Sequence, residues 1–295
     1  MATSTAAAFE EFDRILTPPP AMLRLIRQRC LEIAVTLSKD FPAGSDIEYR
    51  STEVFGSTAR STAIMPIYDA DLFVHLFVAR GPWEEKYRSD SRALLQRVRD
   101  SLQSGFNLRP EHGGRAVTVS YGDGMNIDVC PGVKCDTGYQ KIPEDSGNWM
   151  TNLSDGHIRH LNLHPRSARH ELTKIIRFAK QWNRTEYSRL KSFHVELLAS
   201  ASFRPGEKSG SALESFFGFS RSSLSVPDPH NPGDQSRYLA WSERHAIRNR
   251  LEQARSHAIT ANFAEEHGDH STAIGLWEEI MGEKFPSFSQ PASGG

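Results

Sequence analysis

The most constraining feature of this 295-residue chain is an apolar run at residues 69–78 that begins with two acids. The run reads Asp-Ala-Asp-Leu-Phe-Val-His-Leu-Phe-Val, and its β-branched and aromatic residues are typical of a buried strand. Because successive strand side chains point to opposite faces, Asp69 and Asp71 share one face. The run therefore predicts a strand that presents two carboxylates side by side.

The residues around this strand predict a mixed α/β region. A helix broken once by Pro18-Pro19-Pro20 covers residues 7–39, and a strand at 47–55 ends at Gly56. A further helix is predicted over 82–104. Two strands, 116–121 and 126–130, flank Gly122-Asp-Gly124, which is a hairpin signal, and the second of them carries Asp128.

Beyond about residue 140 the pattern becomes mostly helical, with apolar spacing at 168–184 and 190–203, a long helix that follows residue 236 and continues to about 266, and another helix around 273–281. A loop rich in Pro, Gly and Ser covers 225–236. We predict an N-terminal helical segment at 1–45 that spans two lobes, an α/β core at 46–140, a helical domain at 141–286 and a flexible tail at 287–295.

Charge and cysteine content exclude several classes of protein. The net charge of −1 provides no field to hold a long polyanion, so a protein that coats nucleic acid is disfavoured. Residues 159–191, however, contain nine Lys and Arg but two Glu, which is a local positive excess. Three cysteines, an odd number, indicate a reducing compartment such as the cytoplasm. Residues 1–16 lack a basic segment followed by a long apolar run, and no stretch of eighteen apolar residues occurs, so secretion and membrane spanning are both disfavoured.

Asp69, Asp71 and Asp128 form a candidate metal site. Three hard oxygen donors suit Mg²⁺, which keeps substrate phosphates among its ligands. Gly56 lets the backbone approach a phosphate closely, and Ser57 can donate to its oxygens. Each piece alone is common in proteins. The order of strand, Gly-Ser, short helix, Asp-x-Asp strand, hairpin and single Asp is much more specific.

This order resembles the polymerase-β-like nucleotidyltransferases, and within them most closely the bacterial cyclic-oligonucleotide synthases, the CD-NTases. The resemblance rests on Phe55-Gly-Ser-Thr-Ala-Arg-Ser-Thr-Ala, Asp69-Ala-Asp-Leu-Phe-Val and Asn126-Ile-Asp-Val. It extends over most of the chain through Trp149-Met-Thr-Asn, Lys180-Gln-Trp-Asn, Lys191-Ser-Phe-His-Val-Glu and Val226-Pro-Asp-Pro-His-Asn-Pro.

The resemblance implies an α+β fold: a nucleotidyltransferase core with a mixed sheet, a C-terminal helical bundle and an active site in the cleft between these lobes. It implies two Mg²⁺ ions, with Mn²⁺ as a substitute, on Asp69, Asp71 and Asp128. The implied nucleotide-binding residues are Gly56 and Ser57 on the donor triphosphate, Lys180 and Ser192 on phosphates, Phe193 stacked on a base and Asn152 near the acceptor base.

The implied activity is condensation of ribonucleoside triphosphates into a cyclic di- or trinucleotide with release of pyrophosphate. This product would act as a second messenger on a separate effector in anti-phage defence. No nucleic-acid activator and no membrane partner are expected. The C-terminal Gly295 is either a flexible end or the point at which a regulatory or conjugating partner attaches.

Two rival functions stay open at this stage. The first is a transferase that adds a nucleotide to an RNA, a protein or a small molecule, and the second is a non-catalytic nucleotide-binding protein. Single residues also have plainer interpretations. Lys180 and Ser192 fit the exposed faces of amphipathic helices, and Phe193 fits a core position. His157, His160, His164 and His170 have irregular spacing that disfavours structural zinc, and the cysteines are expected to be reduced thiols.

Overall fold

The computed structural model describes residues 1–109, 114–134, 140–144, 146–152, 156–228 and 233–290. The chain divides into two compact units. We call Pro19–Ser61 with Ile67–His157 the sheet unit, and Met1–Pro18, Thr62–Pro66 and Ile158–Gly295 the helical unit. Residues 1–45 fall in both units, and their role as a segment that spans two lobes stays a prediction.

The sheet unit is built on a mixed sheet in the order β1-β2-β5-β4-β3, with β6 paired to β5 and β7 to β6. Strands β2 and β5 run parallel, and the other neighbouring strands run antiparallel. The strands are β1 Ile47–Phe55, β2 Asp69–Val78, β3 Asn107–Leu108, β4 Val117–Ser120, β5 Asn126–Lys134, β6 Gln140–Pro143 and β7 Trp149–Asn152.

The strands predicted at 47–55 and 69–78 are confirmed at both ends. The prediction of mostly helical structure from residue 140 is wrong at its start, because β6 and β7 extend the sheet first. Both are short four-residue strands, and β6 has Pro143 at its end. So short a segment offers too few residues for an alternating pattern to appear in the sequence.

Helices of the sheet unit cover part of this sheet. They are α2 Pro20–Asp40, α3 Gly56–Ala59, α4 Arg80–Pro82, a π-helical turn Trp83–Tyr87 and α5 Ser91–Gln103. The helix predicted over 82–104 is interrupted, because Asp90 adopts an extended conformation and caps α5 by accepting from the Arg92 amide.

The helical unit contains α1 Thr5–Leu16, α6 Gly156–Asn162, α7 Arg169–Thr185, α8 Ser192–Ser202, α9 Ser209–Ser222, α10 Trp241–Glu266 and α11 His270–Met281. Its core is strongly aromatic. Phe12 of α1 stacks on Phe178 of α7 at 5.1 Å between ring centroids, and it meets the edge of Phe285 at 5.0 Å. Such pairs stabilise the core beyond the area that they bury.

Two cations of α7 hold α1 in place. Arg177 donates to Asp13 from Nε at 2.9 Å and from Nη2 at 2.6 Å, and both side chains are largely buried. Lys174 pairs with Glu10 one turn earlier on each helix. Removing one partner of such a buried pair leaves an uncompensated charge, so the helical unit depends on both members.

Cations also hold residues 62–66 within the helical unit. Arg184 of α7 donates to the carbonyl oxygens of Ile64, Met65 and Pro66 at 2.9 to 3.2 Å. Lys284 donates to the Met65 carbonyl at 2.6 Å. The short segment between α3 and β2 is thereby fixed through its backbone.

The N-terminus pairs with residues near the end of the described chain. The Ala2 amide donates to the Ser287 carbonyl, and the Ser289 amide donates to the Ala2 carbonyl, both at 2.9 Å. Residues 287–289 were predicted to belong to a flexible tail, and the structure instead holds them in this bridge. The rest of the predicted tail from 291 onward lies outside the described residues.

In the part of the chain that the structure describes, no helix combines the length and hydropathy needed to cross a bilayer.

The described cysteines Cys30 and Cys130 are free thiols, as predicted, whereas Cys135 lies outside the described residues. Burial raises the pKa of Cys30 to about 11. The predicted loop at 225–236 contains a 3₁₀ turn at Gln235–Tyr238, and residues 229–232 within it are outside the described residues.

The aromatic core gives a first prediction. Phe12 is fully buried, so Phe12→Ala should lower the free energy of unfolding by about 3–5 kcal/mol. Phe263 is a control in the same unit because its side chain is 61% exposed, and Phe263→Ala should change stability by less than about 1 kcal/mol. Urea unfolding followed by circular dichroism measures both. Equal losses would contradict the assignment of Phe12 to the core.

Candidate active site

The parallel pairing of β2 with β5 places the predicted acids. Asp71 lies directly opposite Asp128 in the register, and Asp69 lies opposite Asn126. Alternation along β2 puts Asp69 and Asp71 on one face, as the sequence predicts. Asp69 is exposed, and Asp71 and Asp128 are half-buried. The three carboxylates therefore share the beginning of two adjacent strands.

Gly56 lies against one of these carboxylates. Its backbone has φ +67°, and a Cβ added there would lie 1.8 Å from Asp71 Oδ2. Any side chain would therefore strain the backbone and displace the acid. Phe55, the last residue of β1, pairs with Asp71. Gly56 follows Phe55 directly and therefore lies beside Asp71. Ser57 follows in the single turn of α3.

Asp128 is held from the neighbouring strand. Thr118 of β4 donates its hydroxyl to Asp128 Oδ1 at 2.6 Å, and the two residues are partners in the β4–β5 register. The turn that joins these strands is fixed to α2, because Arg29 pairs with Asp123 at 2.8 Å and lies over the Tyr121 ring. These contacts orient the third acid and leave its second oxygen for other partners.

The thiol of Cys130 lies close enough to two of the acids to be affected by their charge. Burial raises the pKa of Cys130 to about 12, and the charges of Asp71 and Asp128 add to this effect. A thiol so strongly disfavoured as a thiolate is a poor nucleophile and a poor metal ligand at neutral pH. The carboxylates therefore remain the candidate reactive groups at this end of the sheet.

The oxygen donors of this site suit a metal ion, but their side chains do not form a preformed metal-binding cage. Among the described residues no group of three or more His, Cys, Asp and Glu side chains converges closely enough to hold a metal. The donors at the start of β2 and β5 are all carboxylate oxygens, which are the ligands that Mg²⁺ prefers. Because Gly56 has no Cβ, the Asp71 carboxylate can lie against its backbone.

The helical unit contains three of the predicted nucleotide-binding residues. Ser192 is exposed and opens the first turn of α8, after Lys191 as N-cap. Phe193 follows it, half-buried, with its ring edge-on to His160 at 5.5 Å between centroids. An exposed hydroxyl and a partly exposed aromatic ring at a helix start are suited to contact phosphate and base.

Lys180 lies inside the helical unit. Its ammonium donates to Glu196 Oε1 at 2.6 Å, to the Thr62 carbonyl at 2.9 Å and to the Thr62 hydroxyl at 3.3 Å. The side chain is 6% exposed, and Glu196 is fully buried. These bonds account for the three protons of a lysine ammonium. We call Thr62, His160, Lys180 and Glu196 the buried polar cluster.

Glu196 is the centre of this cluster. The Thr62 hydroxyl donates to its Oε1 at 2.9 Å, and His160 Nε2 lies 3.4 Å from its Oε2. Glu196 is not among the residues predicted from the sequence, although it ends the segment Lys191-Ser-Phe-His-Val-Glu. The sequence signal that could have found it is a single acid among the apolar residues of a predicted helix. Buried acids are rare unless they are paired, so such an acid indicates a buried partner.

Several residues of the predicted basic stretch have internal partners. Lys174 and Arg177 pair with acids of α1, Lys180 pairs with Glu196, and Arg184 binds backbone carbonyls. The positive excess between 159 and 191 therefore serves the packing of the helical unit in large part. His164, another residue of this stretch, contacts Ser200 through Nε2 at 3.0 Å.

Asn152 ends β7, where it pairs with Gln140 of β6. Its side chain is outside the described residues, as is the side chain of His157. The structure thus brings together Gly56, Ser57 and the three acids in the sheet unit. It links Lys180 and Phe193 through the buried polar cluster in the helical unit.

Comparison with known proteins identifies the family. The model of the Second Messenger Oligonucleotide or Dinucleotide Synthetase domain matches residues 1–163. A curated relative from Bacillus cereus strain VD146, a probable cyclic nucleotide synthase, is 23% identical over 275 residues, which cover 79% of this chain and 81% of the relative. The chain belongs to this family of synthetases, and it is a nucleotidyltransferase that makes cyclic oligonucleotides.

Solved structures confirm the predicted fold. CdnC of E. coli MS115-1, determined with ATP, has a TM-score of 0.74 at 20% identity and covers 95% of this chain and 98% of its own. The CD-NTase CdnG of Bradyrhizobium diazoefficiens, determined with GTP, has a TM-score of 0.70 at 15% identity, with coverages of 93% and 97%. The rival functions find no support among these proteins.

The close approach of Gly56 gives a second prediction. Gly56→Ala should reduce turnover about 100-fold or more, because the new Cβ displaces Asp71. Gly44→Ala is the matched control, since Gly44 also has a positive φ of +86° but has open space around its Cβ position. The control should show only the cost of the strained backbone, about 1–2 kcal/mol, with normal turnover. Equal loss of turnover in both variants would contradict the interpretation.

The buried polar cluster gives a third prediction. Glu196→Leu and Lys180→Met should each lower the free energy of unfolding by about 3–5 kcal/mol, because each leaves a buried charge without its partner. The double variant should cost much less than the sum of the two losses. Urea unfolding of the four proteins completes the cycle. Additive losses would show that the two charges do not interact.

Proposed function

We propose that this chain condenses ribonucleoside triphosphates into a cyclic di- or trinucleotide, with release of pyrophosphate. The observation that carries the proposal is the pairing of Asp71 with Asp128 in β2–β5, with Gly56 against Asp71, in a chain of the synthetase family. The product would act as a second messenger on a separate effector protein in anti-phage defence. Nucleoside triphosphates as substrates and reduced thiols favour the cytoplasm as its location.

Asp69, Asp71 and Asp128 would hold two Mg²⁺ ions, or Mn²⁺ in their place. The all-oxygen donor set and the pairing of Asp71 with Asp128 support this assignment. When bound, the cations neutralise phosphate charge and lower the pKa of the attacking hydroxyl. Thr118 donates a hydrogen bond to one oxygen of Asp128 and thereby orients this carboxylate.

The donor triphosphate would lie against Gly56 and Ser57. Gly56 provides close backbone approach, and the hydroxyl of Ser57 donates to a phosphate oxygen. The single turn of α3 fixes both residues relative to Asp71. The solved CdnC and CdnG structures were determined with ATP and GTP, and this chain would take the same class of ligand.

The reaction is a substitution at phosphorus. A ribose hydroxyl oxygen of one nucleotide bonds to the α-phosphorus of another, the bond to the bridging α–β oxygen breaks, and pyrophosphate leaves. The hydroxyl proton passes to one of the three carboxylates and then to water. The residues of the chain contribute mainly position and charge, because each bond that changes belongs to the substrates. For a dinucleotide, a second round between the ends of the linear product closes the ring, and for a trinucleotide one further nucleotide is added before closure.

Ser192 and Phe193 would bind nucleotide from the helical unit, with the hydroxyl on phosphate and the ring stacked on a base. Their position at the exposed start of α8 supports these roles. Lys180 would bind phosphate only by exchanging a bond to Thr62 or Glu196 for one to a phosphate oxygen. Asn152 would contact the acceptor base, and a partner that recognises the C-terminal Gly295 would regulate or conjugate the protein.

Mass spectrometry tests this proposal. The full chain, incubated with the four ribonucleotides and Mg²⁺, should yield a phosphatase-resistant product of cyclic mass together with pyrophosphate. Asp69→Asn combined with Asp71→Asn should lower the yield about 1000-fold or more, since two of three acids are lost. Chelation of the metal should have the same effect.

The matched control is Asp100→Asn, because Asp100 is an exposed aspartate of the same unit that lies on α5 and accepts a hydrogen bond from Gln96. It should keep near-normal product formation. A labelled nucleotide that appears only on an added RNA or protein would contradict cyclisation. Unchanged turnover in the Asp69 and Asp71 double variant would contradict the assignment of the acids.

A further inference from the structure

The first turn of α8, which bears Ser192 and Phe193, is held by a tyrosine from a distant part of the chain. The Tyr238 hydroxyl accepts from the Lys191 amide at 2.8 Å and lies 3.0 Å from His194 Nδ1. The Lys191 ammonium lies over the Tyr238 ring, 4.6 Å from its centroid. One side chain thus contacts the residues immediately before and after Ser192 and Phe193.

Tyr238 and His194 form a chain of hydrogen bonds that runs from the Lys191 amide to the Leu224 carbonyl. Donor and acceptor chemistry determines the direction of each of these bonds. The Leu224 carbonyl can only accept, so His194 Nε2, 2.8 Å away, carries a proton. In a neutral imidazole Nδ1 then accepts from the Tyr238 hydroxyl. The Lys191 amide can only donate, and it donates to the oxygen of the same hydroxyl. The whole hydrogen-bond chain therefore has a single consistent arrangement.

Burial keeps His194 in this neutral form. The side chain is fully buried, and desolvation lowers its pKa below the ordinary value. Burial likewise raises the pKa of Tyr238, so the phenol keeps its proton at neutral pH. Both groups remain in the protonation states that the hydrogen-bond chain requires.

Tyr238 itself is rigidly placed. It ends the 3₁₀ turn Gln235–Tyr238, whose Ser236 receives bonds from Arg244 of α10 to its hydroxyl at 2.9 Å and to its carbonyl at 2.6 Å. Asp234 caps the turn by accepting from the Ser236 amide. The tyrosine is thus anchored to the longest helix of the unit before it contacts α8.

From these contacts we infer that Tyr238 is a positioning residue that fixes the nucleotide-binding turn of α8. The inference rests on the proposed function, which assigns Ser192 and Phe193 to the nucleotide. The Lys191 amide and His194 anchor the turn on its inner side, while Ser192 stays exposed on its outer side. Ordering the turn before nucleotide arrives removes an entropic cost from binding.

The test is Tyr238→Phe, which keeps the ring beneath Lys191 and removes only the hydroxyl. Equilibrium titration with the unreactive α,β-methylene analogues of the four ribonucleotides, in the presence of Mg²⁺, should give a dissociation constant roughly tenfold higher than that of the native protein. The KM for ribonucleotide should rise by a similar factor, with kcat within about twofold. Hydrogen exchange of the amides at 191–194 should become faster.

Tyr87→Phe is the matched control. Tyr87 is a buried tyrosine of the sheet unit, and its hydroxyl bonds to Asp46 and Arg97. The control should lose a similar amount of thermal stability while nucleotide binding and exchange at 191–194 stay unchanged. Unchanged nucleotide affinity in Tyr238→Phe, or an equal loss of affinity in both variants, would overturn the inference.

The two hypotheses fail in different ways. If the native protein binds the analogues but Tyr238→Phe binds them equally well, the positioning role is overturned and the proposed function stands. If the native protein neither binds the analogues nor consumes ribonucleotides, the proposed function is overturned, and with it the role of this turn in nucleotide binding.

Discussion

The parallel pairing of β2 with β5 is the constraint on which the site depends. Side chains alternate along both strands, so a shift of one residue in this register would turn Asp128 to the opposite face of the sheet. The antiparallel strands β1 and β4 pair with β2 and β5, so their positions depend on this register. β1 ends opposite Asp71 and delivers Gly56, and β4 brings Thr118 to Asp128.

The register is secured by residues that take no part in the chemistry. From Leu72 to Val78 the side chains of β2 are mostly buried, and β5 is buried over most of its length. Burial of one face of a sheet specifies its register strongly, because a slip would expose apolar side chains to water. The acids at the start of the two strands are therefore aligned by the apolar residues that follow them.

The helical unit differs from the sheet unit because buried polar groups position its elements. Glu196 and His194 are fully buried on α8, one in an ion pair and the other in a chain of neutral hydrogen bonds. Burying such groups is costly unless every one of them finds a partner. The partners lie on residues 62–66, α7, the segment after α9 and the 3₁₀ turn, so these contacts also tie distant segments to one helix.

Sequence reasoning succeeded where the pattern is local. The β-branched and aromatic content of 69–78 predicted β2 to the residue, and helical spacing predicted α7, α8, α10 and α11. It failed for β6 and β7, which are too short to show a period, and for α9, whose first turn contains Gly and Ser. Gly56 and the acids were predictable because they occur close together in order. Tyr238 and Thr118 were not, since their roles depend on partners that only the fold brings near.

The helical unit is assembled from three separate stretches of chain, and this has a consequence for biosynthesis. The apolar side of α1 is made among the first residues, yet its partners on α7 and α11 follow more than 150 positions later. The sheet unit can be completed by residue 157, while Phe9 and Phe12 must wait for Phe178, Trp277 and Phe285. During synthesis, Phe9 and Phe12 therefore remain without these partners until more than 150 further residues have been made.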